Sequence, residues 1–276
     1  IASSFGLGGT IASILLREHT RTGVDRRWPD APLRTYRRRH FLWRRPLCVH
    51  VAWRGALAGM QLREQPAFVD ALESHQIELQ VQAAGLNFRD VLLVLGEYPG
   101  PATPPGSDCA GLVAASGGSI ASSSFRRAEA IFGFAGGCLS YFVRARTNAL
   151  AVMHRPPSVS APEACTLPST WTTVHEVLRR ALLWRHQRLL LHAASGGVGL
   201  VAVDYLMILG ASVYGTAGQP HKHQSVRTNG VFACFNSRKA GAFALGAMRK
   251  LEGCRANSVC NSLIHDFIPV SAAVLA

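Results

Sequence analysis

From residue 188 onward the chain alternates between short apolar runs and helix-length segments. "RLLLH" (188–192) has the continuous apolar character of a strand buried on both faces, and "GGVGLVAVDYLMILG" then predicts a helix ending at Gly210. "ASVYGTA" (211–217) predicts a second strand, "QPHKHQSVRTNG" a short helix closed by Gly230, and "VFACFNS" (231–237) a third strand. "KAGAFALGAMRKLEG" predicts another helix, "ANSVCNSL" (256–263) a fourth strand, and "FIPVSAAVLA" a helix running to the chain end. Strands and helices in this order imply a parallel sheet with crossover helices. Upstream, between Pro46 and Pro157, short apolar runs are broken by glycine, proline and serine. There "IELQVQAAGL" (77–86) alternates with period two, and "CAGLVAASGG" (109–118) and "CLSYFVRA" (138–145) predict further strands of a small, mainly β domain. Between the two textures, "APEACTLPSTWTTVHEVLRRALL" (161–183) predicts one helix with Pro162 and Glu163 in its first turn. The fold class is α/β.

Composition changes this picture in three places. The chain's 276 residues, 48% of them hydrophobic, suffice for one large or two medium domains. Its apolar stretches are interrupted by His192, glycines or Asp204 before reaching the roughly 18 to 20 residues of a membrane span, and Ile1–Thr10 lacks the basic start of a signal peptide. No membrane partner is therefore expected. The seven cysteines are scattered without C-x-x-C spacing, which argues against a disulfide framework or structural zinc and for a reducing, cytoplasmic setting.

The net charge of +13 is concentrated near the N-terminus, where residues 1–54 hold twelve arginines against Glu18, Asp25 and Asp30. "TYRRRHFLWRR" mixes arginine with Tyr36, Phe41 and Trp43 and can be read as a surface for a polyanion. The favoured reading is a connector over Thr20–Arg45, its arginine stems lying on apolar surface with their heads in water, so nucleic acid is not the expected partner.

The chemistry begins at "LLLHAASGGVG" (189–199). Ala193, Gly196 and Gly199 stand as A-x-x-G-x-x-G directly after a strand and at the mouth of a helix, with Ser195, Gly197 and Val198 between them. Small residues at this spacing permit a tight turn, close backbone approach to a pyrophosphate, and close helix–strand packing; the free N–H groups of the helix start then face the anion. A chain built for NAD carries an acid about 20 positions on to bond the ribose hydroxyls. Here that region reads "YGTAGQPHKH", with Gly218 and Lys222 and no acid, and Arg238 follows the next strand. The pattern favours NADPH, with Lys222 and Arg238 as the candidates to meet its ribose phosphate and a solvated helix residue as the alternative for Lys222.

These residues also carry a family resemblance. "AAGLNFRDVLLVLGEYPG" (83–100), "PPGSDCAGLV" (104–113), "LLLHAASGGVG", "GTAGQPHK" (215–222), "NSR" (236–238) and "NSLIHDFIPVS" (261–271) together resemble the enoyl reductase domain of a modular type I polyketide synthase, a zinc-free medium-chain dehydrogenase/reductase. "SSFGLGGTIAS" (3–13) resembles the closing segment of a ketosynthase, with Ile11 and Ser13 in place of its usual Asn and His, and "PDAPLRTYRRRHFLW" (29–43) resembles the linker after such regions. The resemblance implies a ketosynthase remnant over 1–18, an Arg-rich linker over 19–45, a GroES-like substrate domain over 46–158 and an NADPH-binding Rossmann domain over 159–276.

It further implies reduction of an α,β-enoyl thioester on an acyl carrier protein, with neighbouring synthase domains as partners. Tyr98 matches a tyrosine tied to protonation of the α-carbon, the alternative being a turn tyrosine beside Pro99. Lys222 is a second candidate acid, although the aspartate that often accompanies it is replaced by Ala242. Asn87, Arg89 and Asp90 match the cleft wall near the nicotinamide, with a structural role equally open for Arg89 and Asp90. His192 is expected to orient backbone. No metal site is implied, since Asp108 and Cys109 alone make a poor one.

The sequence also departs from the family. His186 stands where a glycine turn is expected, Ala128 and Glu129 replace a Gly-Asp pair, and Asn257 and Ser258 occupy positions expected to be buried. Only four strands of the cofactor sheet are countable, so the Rossmann domain is expected to be incomplete at its C-terminal side. A stand-alone quinone or enone reductase and a silent synthase fragment are the alternatives.

Overall fold

A computed structural model describes residues 13–15, 45–118, 125–147, 152–181, 186–251, 255–263 and 266–275. The ketosynthase-like segment and the Arg-rich connector lie outside the described residues, apart from Ser13–Leu15 and Arg45. Chain contacts divide the molecule into two compact units, one comprising 14–84 with 89–165 and the other 1–13, 85–88 and 166–276.

The first unit is mainly β. Its strands are β1 (Ser13–Leu15), β2 (Leu47–Val51), β3 (Met60–Glu64), β4 (Gln76–Gly85), β5 (Asp108–Ser116), β6 (Ala130–Phe134), β7 (Phe142–Arg146) and β8 (Val152–His154). Helix α1 (Phe88–Leu95) follows β4, and α2 (Ala161–Ala164) closes the unit. One sheet runs β1-β4-β5-β6-β8 with β7 also on β4, while β2 and β3 form an antiparallel hairpin. The period-two reading of β4 holds: Ile77, Leu79, Val81 and Ala83 are buried, and Gln76, Glu78 and Gln80 between them are half-buried. Asp90 is buried in the first turn of α1, where its carboxylate accepts the Gly106 N–H at 2.9 Å. Gly106 (φ +96°) has no room for a side chain, because a Cβ would lie 2.7 Å from the Leu139 nitrogen.

The second unit contains α3 (Pro168–Arg180), β9 (Arg188–Leu191), α4 (Gly197–Ile208), β10 (Ser212–Ala217), α5 (Pro220–Thr228), β11 (Ala233–Asn236), α6 (Ala240–Leu251), β12 (Ser258–Cys260) and α7 (Phe267–Ala273). All strand pairings are parallel, in the order β11-β10-β9-β12. Both faces are covered. On one side Leu189 and Leu191 pack with Val174 and Leu178 of α3 and Val203 and Leu206 of α4; on the other, Leu190 joins a cluster with Phe243 of α6 and Phe267 of α7. Neighbouring leucines of β9 therefore serve opposite cores, which is why the strand reads as an unbroken apolar run.

Several sequence expectations are corrected in their extent. The single helix expected over 161–183 is two, because Pro168 has no N–H for a continuing helix and starts α3 at its first position. A Ser160–Glu163 capping box opens α2. The strand expected over 138–145 begins only at Phe142: Leu139 and Tyr141 pair instead with Val49 and Leu47 of β2, while Ser140 turns its hydroxyl onto local carbonyls. β12 is shorter than 256–263, since the Asn257 side-chain carbonyl accepts the Arg188 N–H at 2.8 Å and the Asn261 side chain forms its own turn with the Leu263 N–H. Asn257 is also exposed rather than buried, and Ser258 half-buried. Helix α7 stops before the chain end, because the Val274 carbonyl is taken by the Ala256 N–H and Leu275 lies alongside Ala256 as a parallel bridge.

Candidate functional site: the glycine turn after β9

The chain leaves β9 through His192 and turns at Ala193, which adopts a left-handed conformation (φ +51°). The Ala194 N–H donates to the Thr216 carbonyl at 2.9 Å, pinning the turn to the end of β10. Gly196 is the N-cap of α4, its carbonyl accepting the Leu200 N–H at 2.8 Å, and no side chain caps this helix. The N–H groups of Gly197, Val198 and Gly199 thus head a 12-residue helix with no acid in its first turn. Gly199 is buried against the turn, where a Cβ would lie 2.3 Å from the Ala193 oxygen and 2.8 Å from Ala194. Ser195 is half-buried within the turn. The features expected of a pyrophosphate cradle, a tight turn, bare backbone and close helix–strand packing, are all present.

At the end of β10, Gly218 and Arg238 come together: a Cβ on Gly218 would lie 3.0 Å from the Arg238 Nε. Arg238 is exposed, and its own N–H donates to the Asn236 side-chain carbonyl at 2.7 Å. Lys222 is half-buried in the first turn of α5, which starts two residues after Gly218. No aspartate or glutamate occurs between Gly215 and Arg238. A basic, acid-free edge beside an uncapped helix start can meet an anionic ligand.

Asn87 belongs to the same unit, and its amide donates to the Ser169 hydroxyl at 3.3 Å. Tyr98 belongs to the β unit, in the turn after α1, with the Arg89 guanidinium 5.2 Å from its ring centre and its N–H donating to the Leu92 carbonyl at 3.2 Å. Lys222 and Tyr98, the two candidate acids, thus lie in different units. The β unit also carries a groove of about 590 Å³ lined by His50, Arg54, Phe68, Pro104, Phe142 and Arg144, and neither Asn87 nor Tyr98 lines it.

The Cys138 thiol pKa is pushed up by a hydrogen bond with Cys109 and then by burial, and that of Cys165 is pushed up to about 12 by burial first, so both stay protonated near neutral pH. Among the described residues no group of three or more His, Cys, Asp or Glu side chains is placed to hold a metal, and no helix is long and apolar enough to cross a membrane. Two hydroxyls escaped the sequence reading, Thr216 and Ser271, which both contact the ring of His192. Nothing in the local sequence of either marks it.

A mainly β unit with a 3-2-1-4 parallel sheet, glycine turn and acid-free second strand defines an oxidoreductase of the medium-chain dehydrogenase/reductase class, whose fold binds nicotinamide cofactors. Comparison with known proteins narrows this class. The chain is 33% identical to a highly reducing polyketide synthase of Didymella fabae over 199 residues, 71% of this chain and 10% of that protein. It is 30% identical to the crystal structure of CurK enoyl reductase, with a TM-score of 0.76 over 84% of this chain and 71% of that one. The chain belongs to the enoyl reductases of polyketide synthases. A mycobacterial protein solved with NADPH shares the fold at 24% identity and a TM-score of 0.74, as does a quinone oxidoreductase of Pseudomonas syringae at 23% and 0.74. No protein-family model matches. The chain spans about a tenth of the length of the curated relatives it matches.

Proposed function

We propose that this chain performs the NADPH-dependent enoyl reduction of polyketide chain extension, on an α,β-unsaturated thioester carried by an acyl carrier protein. In this reading residues 1–18 are the tail of a ketosynthase, 19–45 its linker, 46–158 the substrate domain and 159–276 the cofactor domain, with neighbouring synthase domains supplying and receiving the acyl chain. The observation that carries the proposal is the glycine turn at Ala193–Gly199, whose uncapped helix start and close Gly199 packing suit a pyrophosphate.

The N–H groups of Gly197, Val198 and Gly199 would hold the pyrophosphate, Ser195 and Gly196 would let it approach, and Lys222 and Arg238 would meet the ribose phosphate beside Gly218. Asn87 would face the nicotinamide. The bound cofactor supplies a hydride to the β-carbon of the enoyl thioester. The negative charge that develops toward the thioester oxygen calls for donors already in place. The Tyr98 hydroxyl would then give its proton to the α-carbon and recover one from water, leaving a saturated thioester and the oxidised cofactor. Lys222 is assigned to phosphate binding ahead of proton transfer, because Ala242 leaves it without the aspartate of the family pattern.

The test is NADPH fluorescence on titration with the 276-residue chain, followed by NADPH oxidation with a crotonyl thioester and with a quinone. Binding with thioester turnover is expected. Absence of binding would remove the cofactor assignment, and turnover with the quinone alone would make the chain a quinone reductase. A Tyr98→Phe variant should lose about a hundredfold in rate or scramble the α-carbon configuration; if it alters neither, Tyr98 is not the donor.

A further inference from the structure

We infer that His192 is a positioning residue that ties the pyrophosphate turn to helix α7 through a chain of hydrogen bonds with one fixed direction. The inference rests on the NADPH reading of the turn for its consequence, and on geometry alone for its existence. The His192 ring is buried, with its Nε2 at 2.7 Å from the Ser271 Oγ and its Nδ1 at 3.1 Å from the Thr216 Oγ1. The Ser271 hydroxyl donates its single proton back to the Phe267 carbonyl within α7, so toward the ring it can only accept. The ring proton therefore sits on Nε2. Nδ1 is then a lone-pair acceptor and must receive the Thr216 hydroxyl proton, while the Thr216 oxygen accepts the Ala193 N–H at 3.1 Å.

In this arrangement each link has one donor and one acceptor: the Ala193 N–H donates to Thr216, Thr216 to His192, His192 to Ser271, and Ser271 to the Phe267 carbonyl. No donor is shared and no polar atom of the ring is left over. The rings of Phe243 and Phe267 stand edge-on to the imidazole at 5.1 and 5.7 Å and hold its plane. The beneficiary is Ala193, a residue with a side chain in a left-handed conformation that costs about 1–2 kcal/mol. Thr216 offsets this cost from both ends, its hydroxyl accepting the Ala193 N–H and its carbonyl the Ala194 N–H. Removing the Ser271 hydroxyl frees the ring to take the opposite tautomer, which would turn Nδ1 from acceptor to donor and leave Thr216 to choose between ring and turn. The seating of α7 is thereby felt at the cofactor turn.

The experiment compares the wild-type chain with Ser271→Ala, Thr216→Val and Thr216→Ser by amide hydrogen exchange without cofactor, by NADPH fluorescence titration, and by nitrogen-15 NMR of the histidine rings. Ser271→Ala and Thr216→Val should each speed exchange at the Ala193 amide about tenfold and weaken NADPH about tenfold, the loss expected of one buried hydrogen bond. Exchange at the Leu206 amide, in the core of α4, should not change. Thr216→Ser keeps the hydroxyl and should behave as wild type, which a merely space-filling role for Thr216 would not produce. Wild-type exchange at Ala193 in a folded Ser271→Ala chain, or an Nδ1–H tautomer at His192, overturns the inference. If wild type fails to bind NADPH, the cofactor reading falls, while the exchange and tautomer measurements still decide the relay.

Discussion

A Cβ placed on Gly199 would lie 2.3 Å from the carbonyl oxygen of Ala193. The opposing atom is backbone, so no side chain can rotate away, and relief requires α4 to shift off the turn or the turn to open. Gly199→Ala should therefore destabilise the chain by about 1–3 kcal/mol in urea unfolding and weaken NADPH binding more than tenfold. Gly241 in the first turn of α6 is the control, because nothing lies within 4 Å of a Cβ there. Gly241→Ala should be neutral or stabilising by up to about 1 kcal/mol, with unchanged NADPH affinity.

Arg238 lies over Gly218 at the end of β10, on an edge with no carboxylate between Gly215 and Arg238. If this guanidinium meets a ribose phosphate, its loss must discriminate between cofactors. Arg238→Ala should raise the Kd for NADPH about tenfold and that for NADH less than twofold. Equal losses for both would move Arg238 out of the phosphate site and into the general support of the β11 end.

Two departures from the family coincide with backbone that glycine adopts most easily. Ala128 sits at φ +68° and His186 at φ +63°, and both side chains are exposed. The Ala128 N–H is held by the Val113 carbonyl at 2.8 Å, so the turn cannot relax to negative φ without losing that bond. A left-handed residue with a Cβ costs about 1–2 kcal/mol, and glycine returns about half of that through its freer unfolded state. Ala128→Gly and His186→Gly should each raise stability by about 0.5–1 kcal/mol, read as a higher urea midpoint at constant slope. A lower midpoint for either would mean that its side chain makes a contact worth more than the strain.

The parallel sheet was legible because β9 and β10 are buried on both faces and read as apolar runs between glycine-marked helices. The hairpin of β2 and β3 was not: Met60 and Leu62 alternate with Gln61 and Arg63, but all five residues of β3 are exposed, so the short alternation marks no buried face. Pro168 could have divided the helix over 161–183 at the sequence level, whereas the early stop of α7 depends on a partner, Ala256, far away in the chain. The same division runs through the site. Ala193, Gly196 and Gly199 announce themselves by local spacing, but Thr216 and Ser271 are single hydroxyls 24 and 79 residues from the imidazole they orient, and only the packing of α7 and β10 joins them.

Burial alone holds the His192 pKa down, to about 4 from an ordinary 6.5; its ring meets two hydroxyls and two phenylalanine rings, and no charged group contributes to the shift. Between these values the unfolded chain binds a proton at this site that the folded chain refuses. The contribution is fully present above pH 6.5 and is lost as the pH falls toward 4, with a slope of at most about 1.4 kcal/mol per pH unit. Protonation also forces a proton onto Nδ1, against the Thr216 hydroxyl that donates there, so the turn should loosen together with the fold. Urea unfolding of wild type and His192→Gln from pH 7 to pH 4.5 isolates the term, since all other titrating groups cancel in the difference. The variant should begin less stable and lose less stability on acidification, the two curves converging toward pH 4.5. Parallel curves would show that the imidazole is charged inside the fold or reaches solvent, and the fixed direction of the relay would fall with that result.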